Sequence, residues 1–105
     1  MKEVNVTELE KGLRENEMVL IDIRESYERD IAKIDQAIHI PMGDILDRAS
    51  EIPKDKKVVI HCRSGQRSAA VIDALEKEHS FENLFNLQGG ILAWATEIDF
   101  SLTKY

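Results

Sequence analysis

Six consecutive residues carry most of the chemistry this chain displays: Cys62, Arg63, Ser64, Gly65, Gln66 and Arg67. Cys62 is the single cysteine among 105 residues, placed where the apolar run VVIH stops and a helix-forming run begins. A free cysteine most often acts as a small buried hydrophobe. Here two arginines and a glycine follow it at once. The backbone N–H groups of a loop entering a helix are unpaired, so those from Ser64 to Arg67 are free to converge on an anion above the sulfur. Gly65 permits the tight backbone such a cradle needs. Helix N-termini and neighbouring arginines also lower a thiol pKa from its ordinary value of about 8.5, which arms the sulfur as a nucleophile.

Three chemistries use such a thiolate: phosphate ester cleavage, disulfide exchange and attack on sulfur. Dithiol exchange needs a nearby second cysteine, and there is none. Zinc is equally poorly supported, because Cys62 with His39, His61 and His79 matches no ligand spacing. His61 precedes Cys62 in a strand and should face the opposite way, so the three histidines read as packing or surface residues.

The remainder of the chain must hold this loop in place. Its length corresponds to one domain over residues 1–105 with one core. The formal charge of −6 argues against a nucleic-acid surface. Yet between Pro53 and Asp73 the only acid is Asp55, so the Cys62 loop stays locally positive, as suits a small anionic ligand. The opening MKEVNVTELEKGLRENEMVL scatters charges where a signal peptide needs an apolar stretch, and no run is long enough to span a membrane. A cytoplasmic protein with neither membrane nor nucleic-acid partners is expected.

Strand-like and helix-like segments alternate. Thr7 and Glu10 predict a capping box for a helix reaching about Asn16. Met18 to Ile23 predicts a strand, Ser26 opens a short polar helix, and Ile38 to Ile40 is briefly extended. Pro41 begins a helical turn that puts Ile45, Leu46, Ala49 and Ile52 on one face. Then come a strand at Val58 to His61, a helix from Gln66 to His79, a strand at Asn83 to Leu87, and a last helix through Ile91, Leu92, Ala95 and Ile98. Apolar runs with little alternation belong to a parallel sheet covered on both faces, so the fold class is α/β. In such sheets ligands bind beyond the carboxyl ends of strands, where Cys62 lies.

Three motifs, LIDIRESYE, CRSGQRS and NLQGGILAW, resemble in order and spacing those of single-domain rhodaneses, over roughly Val6 to Trp94. The resemblance implies a central five-stranded parallel sheet flanked by helices, and sulfur transfer through a cysteine persulfide. It implies Cys62 as the catalytic residue and Arg63, Ser64, Gly65, Gln66 and Arg67 as the substrate-binding loop. Related phosphatases have one residue more between cysteine and arginine, so the loop length favours sulfur over phosphate. A small anionic donor such as thiosulfate, a thiol or protein-thiol acceptor, and no metal or organic cofactor are the expected partners. A non-enzymatic persulfide carrier or thiol sensor is the alternative, and a phosphatase or arsenate reductase comes third.

Two departures affect the pocket rim rather than the loop. AKIDQA, Ala32 to Ala37, stands where many members read GHIPGA, and the late G-x-P after the tryptophan is missing. The other motif residues have structural readings. Asp22 and Arg24 suggest an ion pair or turn hydrogen bond involving Arg24 and Glu28. Trp94 reads as core or pocket wall, and Gly89 with Gly90 as a strand-to-helix turn. Tyr27 suits either role.

Overall fold

The computed structural model describes residues 1–105. Five strands form one parallel sheet: β1 (Glu3–Val4), β2 (Met18–Asp22), β3 (Ile38–His39), β4 (Lys57–His61) and β5 (Leu84–Leu87), in the order β1-β5-β4-β2-β3. The helices are α1 (Val6–Arg14), α2 (Ser26–Ile31), α3 (Gln66–His79) and α4 (Gly90–Glu97). This is the α/β class expected, with a five-stranded parallel sheet and helices on both faces.

Strand β4 is central, and side-chain alternation along it divides two cores. Val58, Ile60 and Cys62 join a cluster of 14 buried residues with Ile45, Ile52, Val71, Ile72 and Leu75. Val59 faces the other way, into a cluster of 11 with Leu9, Ile91 and Trp94. The chain runs outward from β2 to β3, then returns past β2 to β4 and β5. Right-handed crossovers running in opposite directions place their helices on opposite faces. The loops after β2 and β4 therefore diverge over the crevice between those strands, which is where open α/β sheets bind ligands.

Three local expectations change. The capping box on α1 is Asn5 with Glu8, not Thr7 with Glu10: the Glu8 N–H donates to Asn5 Oδ1 at 2.8 Å, and the Asn5 N–H to Glu8 Oε1 at 2.9 Å. Strand β1 ends at Val4, so the chain has already entered the helix at Val6. β1 itself, two residues at the sheet edge, is too short to leave a periodic signal. The segment after Pro41 buries Ile45, Ala49 and Ile52 as expected, but as turns ending in a 3-10 turn at Ala49–Glu51. Pro41 and Gly43 are poor helix formers, and burying one face does not require a regular helix.

Candidate active site

Cys62 leaves β4 buried, only 1% exposed, and the chain immediately folds back over its sulfur. Gly65 makes the turn with φ +115, a left-handed conformation that L side chains avoid, and caps α3 with no side chain of its own. Its N–H donates to Cys62 Sγ at 3.2 Å, and Ser68 Oγ lies 3.4 Å from the same sulfur. Burial pushes the thiol pKa up. Hydrogen bonds from the Ser68 hydroxyl and the backbone N–H groups of Ser68, Gly65 and Ser64 more than offset this and hold it below the ordinary thiol value. Ser64 and Gln66 turn their side chains to solvent, so the loop offers its backbone, not these side chains, to the sulfur.

The opposite side of the loop is held by α4. The Ile91 N–H donates to the Cys62 carbonyl at 3.1 Å, and the Leu92 N–H to the Arg63 carbonyl at 3.2 Å. Those first N–H groups of a helix lack intrahelical acceptors, and here they take the loop's carbonyls instead. Gly90 allows the approach: its φ is +59, and a Cβ there would lie 2.3 Å from the Arg63 carbonyl oxygen. The glycine pair does make the strand-to-helix turn predicted for it, and it also seats the helix against the cysteine loop.

The arginines are both engaged. Arg67 pairs bidentately with Glu28, through Nη1 to Oε2 at 2.8 Å and Nη2 to Oε1 at 2.7 Å. Glu28, 3% exposed, also accepts from the Tyr105 hydroxyl at 2.8 Å, and the Arg67 fork draws its pKa down to about 2. Arg63, otherwise exposed, donates to the main-chain oxygen of Tyr105. Of the two contacts expected between Arg24 and Glu28, the hydrogen bond forms and the ion pair does not. The Arg24 guanidinium takes the Asp22 carboxylate, at 3.0 and 2.8 Å, and reaches only the main-chain oxygen of Glu28, at 3.3 Å. The spacing could not separate the two carboxylates, because Asp22 two residues before and Glu28 four residues after are both within reach of one arginine. The side-chain partner of Glu28 is Arg67, 39 residues on, and no local spacing links the two. The one local trace was the Glu25-x-x-Glu28 box that starts α2, in which the Glu25 N–H donates to Glu28 Oε2 at 2.9 Å.

His61 faces away from Cys62 as expected, fully buried beside Asp22, its Nε2 3.5 Å from Asp22 Oδ2. Burial holds its pKa down. His39 Nε2 contacts the Arg24 carbonyl at 2.7 Å, and His79 is exposed. Trp94 belongs to the core on the α1 and α4 face, whereas Tyr27 is exposed. In AKIDQA, Ala32, Ile34 and Ala37 pack inward while Lys33 and Gln36 meet solvent. Lys33 lines a polar cavity of about 430 Å³ with Ser26, Arg29, Asp30 and His39. No three His, Cys, Asp or Glu side chains gather as a metal-binding group.

The match to known proteins covers the same elements. The Rhodanese-like domain family matches residues 5–97. A sulfurtransferase of Allochromatium vinosum is 41% identical over 96 residues, 90% of this chain and 89% of that protein. YtwF of Bacillus subtilis is 40% identical over 98 residues, covering 92% and 93%. The crystal structure of a rhodanese-like domain protein from Staphylococcus aureus superposes with a TM-score of 0.81 at 31% identity, over 100% of this chain and 99% of that one.

Proposed function

The chain belongs to the rhodanese-like domain family of sulfur-transfer proteins, and from that premise we propose that it moves a sulfane sulfur from a small anionic donor such as thiosulfate to a thiol through a persulfide on Cys62. The observation that carries this reading is the ring of N–H groups around a buried, pKa-lowered Sγ. In the first step the Cys62 thiolate attacks the outer sulfur of thiosulfate. A new S–S bond forms, the donor's S–S bond breaks, and sulfite leaves with that electron pair. Arg63 and Arg67 supply the positive field for the sulfonate end, and the backbone of Ser64, Gly65 and Gln66 surrounds the persulfide. In the second step an acceptor thiolate takes the outer sulfur and the electron pair returns to Sγ. Residues 1–105 act as one unit, in the cytoplasm, with no cofactor.

Treatment with thiosulfate is expected to add the mass of one sulfur atom to the protein, removable by cyanide. Cys62→Ser should add none. Intact-mass spectrometry checks both, and a serine variant that still turned over thiosulfate would end the proposal. Two observations favour a persulfide carrier with little turnover: Cys62 is 1% exposed, and both arginines already have partners. Steady-state kinetics separate the two readings, since a carrier loads once whereas an enzyme cycles.

A further inference from the structure

Ser68 is the side chain, beyond the six-residue loop, that touches the reacting sulfur. It is fully buried on the first turn of α3, with Oγ 3.4 Å from Cys62 Sγ and donating to Asn86 Oδ1 on β5 at 2.5 Å. A hydroxyl carries one proton, so Ser68 cannot donate to both. Asn86, 5% exposed, has its orientation set from its other end: Nδ2 donates to the Gly65 carbonyl at 3.0 Å, which leaves Oδ1, an acceptor only, toward Ser68. With Cys62 as a neutral thiol, Ser68 gives its proton to Asn86 and accepts the S–H. Once charge develops on Sγ, the sulfur is the stronger acceptor, because hydrogen bonds to ionised groups are roughly twice as strong as neutral ones.

We propose that Ser68 and Asn86 form a two-position proton switch on the nucleophile, Ser68 as a catalytic residue that donates to Sγ when it is the leaving group, and Asn86 as the positioning residue that otherwise holds that proton. This rests on the sulfur-transfer reading for its leaving group. In discharge, an acceptor such as cyanide attacks the outer sulfur of the persulfide. The C–S bond of thiocyanate forms, the persulfide S–S bond breaks, and its electron pair stays on Sγ, where the Ser68 proton swings from Asn86 to meet it. Because this bond stabilises the unloaded thiolate, it favours unloading over storage of sulfur.

The test compares wild type, Ser68→Ala, Ser68→Thr and Asn86→Ala, with circular dichroism to verify folding. The pH dependence of alkylation by iodoacetamide gives the thiol pKa, and quenched-flow mass spectrometry gives the rate at which cyanide empties the preloaded persulfide. Ser68→Ala should raise the pKa by about one unit and slow discharge about tenfold. Ser68→Thr should restore most of both. Asn86→Ala should shift the pKa the opposite way, downward, because Ser68 then has no competing acceptor. A folded Ser68→Ala unchanged in both measurements overturns the switch, as does an Asn86→Ala pKa that rises or stays put. If Ser68→Ala does not fold, Asn86→Ala decides alone. If wild type forms no persulfide, the sulfur-transfer reading fails, and the alkylation arm still decides the switch by the sign of its shifts.

Discussion

Two structures meet over the crevice between β2 and β4, and they are built differently. The cradle around Cys62 is made of backbone: N–H groups of the loop point at the sulfur, and N–H groups of α4 hold the loop's carbonyls. The clamp beside it is made of side chains, with Arg67 on Glu28, Glu28 on Tyr105 and Tyr105 on Arg24, in pairs 39, 77 and 81 residues apart. A backbone cradle depends on conformation and close approach, so it should fail steeply when a Cβ is added in the wrong place. A side-chain clamp depends on charge and reach, so it should fail by degrees and with pH.

Gly90→Ala attacks the cradle and carries the largest expected effect. It imposes a side chain at positive φ and drives Cβ into the Arg63 carbonyl, at a cost of roughly 3 kcal/mol or more in stability. Sulfur transfer should fall with it. Gly43→Ala is the control, because nothing lies within 4 Å of the added Cβ. It should stay within about 0.5 kcal/mol of wild type. Equal urea midpoints for the two variants would erase the distinction between cradle and clamp.

Arg67→Ala breaks the clamp next to the loop and is expected to lower kcat/KM by about ten- to a hundredfold, as loss of charge-assisted bonds worth roughly 1.5 to 3 kcal/mol would do. Arg67→Lys should recover only part, since an ammonium cannot span both oxygens of Glu28. Unchanged kinetics in the alanine variant would show that the clamp does not reach the chemistry.

The clamp also has a pH signature. Glu28 has a folded pKa of about 2 against an ordinary 4.5, so its contribution to stability is complete above about pH 4.5 and is lost as pH falls through about 2. With solvent at Arg67, 35% exposed, the contribution is on the order of 2 kcal/mol. Acid titrations of unfolding free energy should show this slope in wild type and lose it in Glu28→Gln. Tyr105→Phe removes the hydroxyl that joins Arg24 to Glu28 and has the smallest expected effect of the clamp variants, about 1 kcal/mol of unfolding free energy, read as a lowered urea midpoint.

The same division explains what the sequence made legible. VVIHC followed by RSGQRS encodes a strand end, a glycine turn and a helix start within a dozen residues, and α3 begins at Gln66 and ends at His79 as its pattern indicates. The covered sheet was legible too, from runs such as MVLID. Glu28 as the partner of Arg67 was not. The contact joins α2 to α3 across the crevice, and only the strand order brings those helices together. Ser68 closes the motif CRSGQRS and Asn86 opens NLQGGILAW, yet their link was illegible for the same reason: only the packing of α3 against β5 brings the two side chains together.

The depressed thiol pKa couples the nucleophile's charge to the cohesion of the whole molecule. Unfolding scatters α4, β5 and the loop, and returns Cys62 to ordinary thiol behaviour. Between the lowered folded pKa and the ordinary thiol value of about 8.5, the unfolded chain therefore binds a proton that the folded chain does not, and stability rises with pH across that interval. The folded chain is held together more firmly with its sulfur ionised than with it protonated, so here readiness to react reinforces the fold.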